Sequence, residues 1–136
     1  AVVESRVRGQ VVAEVEQQGL QVSQLVTQAI RNAEGINVPS RGATGMLLSL
    51  DVVAAAADPT VVDLAAGAVR IAEGLNPPVP LTNTMVTASN LLVQNFTATG
   101  TPGSIRLQFT LTHANSSGRP EYQYEKTFTT SASLRY

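Results

Sequence analysis

The chain has 136 residues, of which 43% are apolar and 14% charged, and its net charge is −1. This length is near the commonest domain size and supports one hydrophobic core, so we predict a single domain spanning residues 1–136. The nine basic residues are scattered singly. This scatter argues against nucleic acid or an anionic membrane surface as a partner. The lack of cysteine excludes disulfides and thiolate chemistry.

The first predicted element is a long amphipathic helix within residues 1–35. It contains no proline, and its apolar residues recur mostly three, four or seven positions apart. Gly9 and Gly19 lie inside it, so we expect a bend or a closely packed neighbouring backbone there. Such a helix is about 50 Å long. We expect it to exceed what the β part can cover, so that its N-terminal half projects.

After residue 35 the apolar period changes from 3.6 to 2, which predicts an antiparallel sheet and loops over residues 36–136. Thr60–Ala66 and Ala68–Glu73 flank Gly67 and indicate a hairpin. The apolar positions of the strand before this hairpin are Met46, Leu48 and Leu50.

The strands nearest the C-terminus show the clearest alternation. The strand predicted over residues 86–97 changes its apolar phase near Ser89 and Asn90, which is typical of a β-bulge. The apolar positions of the last two strands are Ile105, Leu107, Phe109 and Leu111, then Tyr122, Tyr124, Phe128, Ala132 and Leu134. Because the opposite positions are polar, one sheet face meets water. The sequence therefore predicts an α+β fold, a long N-terminal α-helix packed on an antiparallel β-sheet.

No residue pattern indicates catalysis. His113 is the one histidine and no cysteine accompanies it, so we interpret it as an ordinary strand-end residue. Asp51, Asp58 and Asp63 do not have the spacing of a calcium loop. We therefore predict no enzyme activity, no cofactor and no metal site.

The apolar stripe of the helix is the candidate interaction surface. If the N-terminal half projects, its stripe must be covered by another subunit or lie close to a membrane. Charged residues beside it would form weak pairs between neighbouring helices and set their register. The predicted interface residues are Val3, Val7, Val11 and Val12 with Arg6, Arg8, Glu14 and Glu16.

Several segments carry a resemblance to a known family. In the helix these are Glu14–Gly19 and Thr27–Ala33, and in the β part they include Gly35–Pro39, Leu47–Leu50 and Val69–Ile71. Together with the order of a long helix, a glycine-marked exit and a strand meander, they resemble the soluble part of type IV pilin-like proteins, especially pseudopilins and minor pilins. The resemblance implies a structural filament subunit with other pilin or pseudopilin subunits as partners.

The chain also departs from that family. It lacks the apolar helix half with a glutamate near the mature N-terminus, so we expect such a segment to precede Ala1. It also lacks a cysteine pair and an acidic calcium loop, which favours a minor subunit. The resemblance implies an extracytoplasmic protein that is anchored in the membrane before assembly.

Two other functions stay open at this point. One is an extracytoplasmic binding module or adhesin that recognises a surface ligand through the polar loops Asn76–Asn83 and Thr97–Gly103. The other is a small hydrolase, which would need an active site without a recognisable motif.

Overall fold

A computed structural model describes the backbone of residues 2–114 and 123–134, and the side chains from Arg8 onward within these ranges. Helix α1 (Val2–Asn32) opens the fold. A short 3-10 helix (Ala55–Ala57) lies between the third and fourth strands. The strands found in the described ranges are β1 (Gly35–Val38), β2 (Thr44–Gly45), β3 (Leu48–Asp51), β4 (Thr60–Ala65), β5 (Ala68–Glu73), β6 (Val79–Pro80), β7 (Val86–Asn95), β8 (Ser104–His113) and β9 (Glu125–Ser133).

The strands form two antiparallel sheets, where the sequence predicted one. The five-stranded sheet has the order β1-β3-β4-β5-β6, and the four-stranded sheet has the order β2-β7-β8-β9. The α+β class is confirmed. The division was not predicted because β1, β2 and β6 are four residues long or shorter, too short to display an alternation that assigns them to a sheet.

Two local predictions in the sheets are confirmed. β4 and β5 pair as a hairpin whose turn residues, Ala66 and Gly67, both have positive φ. The bulge in β7 lies between Ser89 and Leu92, where the register with β8 shifts, and Asn90 has a φ of 55°. The extra residue changes which side chains of β7 face the core.

The inner face of the four-stranded sheet follows the predicted alternation. In β8, all four predicted apolar positions are buried. Towards the end of β9 and just beyond it, Ala132 and Leu134 are buried, while Tyr124 and Phe128 are half-buried. Tyr122 lies outside the described residues. The prediction for Met46 is wrong, because it is 67% exposed and β3 begins at Leu48.

Helix α1 lies on β8 and β9. It runs in the same direction as β9, because Arg8, Glu16 and Thr27 contact Gln123, Lys126 and Thr130 in turn. Its buried stripe joins inward residues of both sheets in one core. The helix residues in this core are Val15, Val22, Val26 and Ile30, and Ala33 joins them directly after the helix. Burying a valine or isoleucine side chain fully contributes about 1.5–3 kcal/mol. The core of the chain therefore includes α1 from Val15 to its end, so much of the helix is covered by its own chain.

Candidate interaction surface

The residues of the predicted interface at the start of α1 differ in their surroundings. The side chains of Val3, Arg6 and Val7 lie outside those that the structure describes. Val11 is 4% exposed and Val12 is half-buried. Val11 is therefore buried within its own chain and offers no surface to a second subunit, contrary to the prediction.

The described charged residues of the predicted interface, Arg8, Glu14 and Glu16, have partners within the chain. Arg8 donates a hydrogen bond to the carbonyl of Gln123, and its guanidinium carbon lies 5.2 Å from the centre of the Tyr124 ring. Glu16 accepts a hydrogen bond from Lys126 Nζ at 3.1 Å. Both contacts join the helix to the start of β9. They fix how the helix lies on its own sheet. The sequence had instead predicted that these residues pair with neighbouring subunits.

Glu14 and Gln18 form a second junction, which the sequence analysis missed. Gln18 is 5% exposed, and its Nε2 donates to Glu14 Oε1 and to Asn83 Oδ1, each at 2.6 Å. Its Oε1 accepts from the backbone N–H of Asn83 at 2.9 Å. The sequence signal was a glutamine within the apolar stripe, because a buried amide needs such partners.

Gly19 provides a notch for an aromatic ring. A Cβ atom built on it would lie 2.1–2.4 Å from three ring atoms of Phe128. That ring stacks on Phe109 of β8 with centroids 5.3 Å apart. The sequence predicted either a bend or a close backbone at this glycine, and the close neighbour is a side chain. Gly9 has no neighbour within 4 Å of such a Cβ.

Two open grooves flank the buried stripe of α1. The edge groove lies between α1 and β9, has a volume of about 530 Å³, and is lined by Leu20, Ser23, Gln24, Thr27, Arg31 and Thr130 among others. The apolar groove lies on the opposite flank, beside the five-stranded sheet, and also has a volume of about 530 Å³. Its apolar lining includes Leu25, Ala29, Val52, Val53, Ile71 and Leu81.

The aspartates considered for calcium lie in different settings. Asp63 forms a two-bond ion pair with Arg70, at 3.0 and 2.8 Å. Asp51 lies beside Asp58, whose Oδ1 also accepts the N–H of Val52 at 3.1 Å. The pKa of Asp51 is raised by partial burial, by the hydrogen bond to Asp58 and by the negative charge of Asp58. Within residues 8–114 and 123–134, whose side chains the structure describes, no three acidic or histidine side chains gather as a metal site would require.

His113 is half-buried at the end of β8, as its sequence position predicted. Its backbone N–H donates to the carbonyl of Tyr124 at 2.9 Å and closes the β8–β9 ladder. The prediction of a strand-end residue is confirmed.

The described part of the chain has no helix that combines the length and apolar character needed to cross a bilayer. Comparison of the sequence with known protein families and with curated proteins, and of the fold with solved structures, finds no match.

Proposed function

We propose that this chain is a structural subunit of a type IV pilin-like filament, a minor pilin or pseudopilin, in which α1 packs among helices of neighbouring subunits. The observation that carries the proposal is the extent of α1. Its 31 residues make a helix about 46 Å long, and its outward face stays exposed, with Leu20 at 58% and Leu25 at 39%. This face gives a neighbouring helix a surface to pack on.

The outward face of α1 suits contact with like helices. Its exposed residues include five glutamines, called the glutamine stripe below, which are Gln10, Gln17, Gln21, Gln24 and Gln28. Residues three, four or seven apart lie on one helix face. Copies of such a stripe meet without the like-charge repulsion that a stripe of lysine or glutamate would produce.

In this proposal the chain works without catalysis or a cofactor. A membrane-spanning segment before Ala1 would hold the subunit in the cytoplasmic membrane before assembly, and the sheets would face the outside of the filament. The type of filament, whether of secretion or of a pilus, is set by partners and not by this fold.

The test uses the absence of cysteine from residues 1–136, so that an introduced thiol is the one cysteine at its position in this part of the protein. Gln10→Cys combined with Gln24→Cys places two thiols on the glutamine stripe. Treating cells that make the full native protein with a bifunctional maleimide should yield a ladder of crosslinked multimers, because an open assembly links each subunit to two neighbours. Asn76→Cys, in an exposed loop, is the matched control and should give no ladder.

A result limited to monomers would contradict the proposal. The mass and sequence of the membrane-extracted chain provide an independent check. An apolar segment of about twenty residues before Ala1, preceded by a short basic stretch, would support the filament. A conventional cleaved signal would count against it.

A second candidate, a binding module, has one observation in its favour. The loop after β5 exposes Leu75 fully, Val79 at the start of β6 is 58% exposed, and Leu81 just after β6 lines the apolar groove. Exposed apolar residues on a loop are typical of recognition surfaces. Leu75→Ser should abolish binding to a cell-surface extract in this case and should leave crosslinking along the glutamine stripe unchanged. Retained binding in this variant would remove the candidate.

A further inference from the structure

The four edges of the two sheets differ in how open they are to another strand. β2 has two residues, and β6 has two and ends at Pro80. β1 has four residues, its register with β3 is interrupted, and Pro39 directly follows it. Short strands, bulges and prolines are the usual means of preventing edge pairing. β9 has none of them, because it is nine residues long, lacks proline and is an edge strand.

Half of the backbone groups of β9 point away from its sheet. The carbonyl of Tyr124 accepts from His113, and the N–H of Leu134 donates to Gly103, so the even-numbered residues bond to β8 and its flanks. The N–H and C=O of the odd-numbered residues therefore point to the free edge. These residues are Glu125, Thr127, Thr129, Ser131 and Ser133, and all five are exposed. Within the described ranges, no strand pairs with this edge.

We propose that this edge binds the β9 edge of a second copy of the chain, antiparallel about a two-fold axis at Thr129. The sequence of β9 is what indicates a second copy. In this register all nine residues pair, and Thr127 lies opposite Ser131 of the partner subunit. Thr129 lies opposite its own copy, and cross-strand pairs of threonine or serine stabilise antiparallel sheets.

Charge and shape agree with the same register. The two charged residues of β9 are Glu125 and Lys126, both at its start. They lie opposite small residues near the end of the partner's strand, so no like charges meet. The edge groove borders this edge and contains the small side chains of Ser23 and Thr27, with Leu20 58% exposed. A strand added to β9 therefore lies beside Leu20 and covers it.

The pairing joins two four-stranded sheets into one sheet of eight strands, with the α1 helices of the two copies antiparallel. Subunits of a filament with parallel helices cannot make this contact with each other. The inference therefore applies to the chain outside the proposed filament, and each proposal fails on a different measurement.

The test measures the mass of the 136-residue chain in solution by sedimentation across a range of concentrations. We expect a closed dimer, of twice the 14.3 kDa of one chain. Thr129→Pro removes the outward N–H that both copies use at the axis and leaves the bonds to β8 intact. Its dimer should dissociate about tenfold more readily or more. Its circular dichroism should match that of the unchanged chain.

A charge swap tests the register. Thr129→Lys or Thr129→Glu alone should weaken the dimer, because two like charges then lie directly opposite each other, and an equal mixture of the two should restore it. Leu92→Lys is the matched control. Leu92 lies in the same row of the sheet as Thr129, two strands away, and is 42% exposed. Its substitution should leave the dimer unchanged.

A chain that stays monomeric up to millimolar concentration would overturn the inference. So would growth beyond a dimer that Thr129→Pro abolishes, since β9 would then pair with a different edge. If Thr129→Pro does not weaken the dimer, or if the mixture of charged variants does not restore it, another surface holds the copies together.

Discussion

The two long sides of helix α1 meet different surroundings. The inward side is closed by the sheets, with Val22 and Ile30 almost fully buried and the ring of Phe128 set against Gly19. The outward side carries exposed residues between two open grooves, among them Leu20 at 58% and Leu25 at 39%. One side holds apolar residues in specific contacts, whereas the other leaves apolar residues in contact with water.

This difference separates the parts of the helix that make the fold from those open to a partner. Contacts at Arg8, Glu16, Gln18 and Gly19 fix the position of the helix on its own sheet. Substitutions there should reduce stability even without a partner. Substitutions at exposed positions should leave the folded chain almost unchanged, since surface changes away from specific contacts cost within about ±0.5 kcal/mol.

The largest expected effect compares one residue from each side. Ile30→Ala removes a side chain that is 1% exposed and should lower the free energy of unfolding by about 2–5 kcal/mol, through lost burial and a cavity. Leu25→Ala, beside the apolar groove, should cost less than half as much, because Leu25 is already partly in water. Urea denaturation of both variants measures the difference. Equal losses would mean that the apolar groove is closed in solution.

The next prediction concerns the two helix glycines. Gly19→Ala should destabilise the chain by about 2 kcal/mol, because the added methyl group displaces the Phe128 ring from Phe109, and this outweighs the better helix propensity of alanine. Gly9→Ala has no neighbour to displace and should stabilise the chain by up to about 1 kcal/mol. Thermal unfolding followed at the helix band distinguishes the two signs. Stabilisation by both variants would show that the ring does not occupy the notch.

A smaller effect is expected for the polar junction. Gln18→Ala leaves the N–H and the side chain of Asn83 without this partner, and should cost about 1–2 kcal/mol. Gln17→Ala, at the exposed neighbouring position, is the control and should change stability by less than about 0.5 kcal/mol. Amide hydrogen exchange provides a local readout, since protection of the Asn83 N–H should fall only in the first variant. Unchanged protection would mean that the junction does not form.

Local patterns predicted much of this architecture. The helix, the hairpin at Gly67, the bulge near Asn90 and the inward face of β8 each depend on residues close together in sequence. Period and turn chemistry express such features directly. The same reasoning correctly gave His113 as the end of a strand.

The features that the sequence did not predict depend on contacts between residues far apart in the chain. Gly19 and Phe128 are more than one hundred positions apart, and nothing in either segment identifies the other as its neighbour. Gln18 and Asn83, 65 positions apart, and Glu16 and Lys126, 110 positions apart, likewise do not identify each other in the sequence. A glutamate beside an apolar stripe has the same sequence pattern whether its partner is in the same chain or another. The assignment of charged residues to contacts between subunits therefore could not be settled from sequence.

The smallest expected effect tests the wall of the apolar groove, where Asp51 precedes Val52 and Val53. The pKa of Asp51 is raised in the folded chain, so the folded state binds this proton more readily than the unfolded state. Its contribution favours folding below the unfolded pKa of about 4 and is lost as pH rises through the folded pKa. At neutral pH the charged carboxylate beside Asp58 opposes folding. Asp51→Asn removes that charge, so its melting temperature should exceed that of the unchanged chain by a few degrees.

That advantage should shrink as the pH falls through the raised pKa of Asp51 and should be gone below the unfolded pKa of about 4, because both chains are then uncharged at this position. Asp63→Asn is the matched control, since the same change there removes an attraction to Arg70 and should not raise the melting temperature at any pH. A gain for Asp51→Asn that is independent of pH would mean that the substitution acts through packing beside the groove. The open side of the helix would then be more sensitive to the shape of its wall than to its charge.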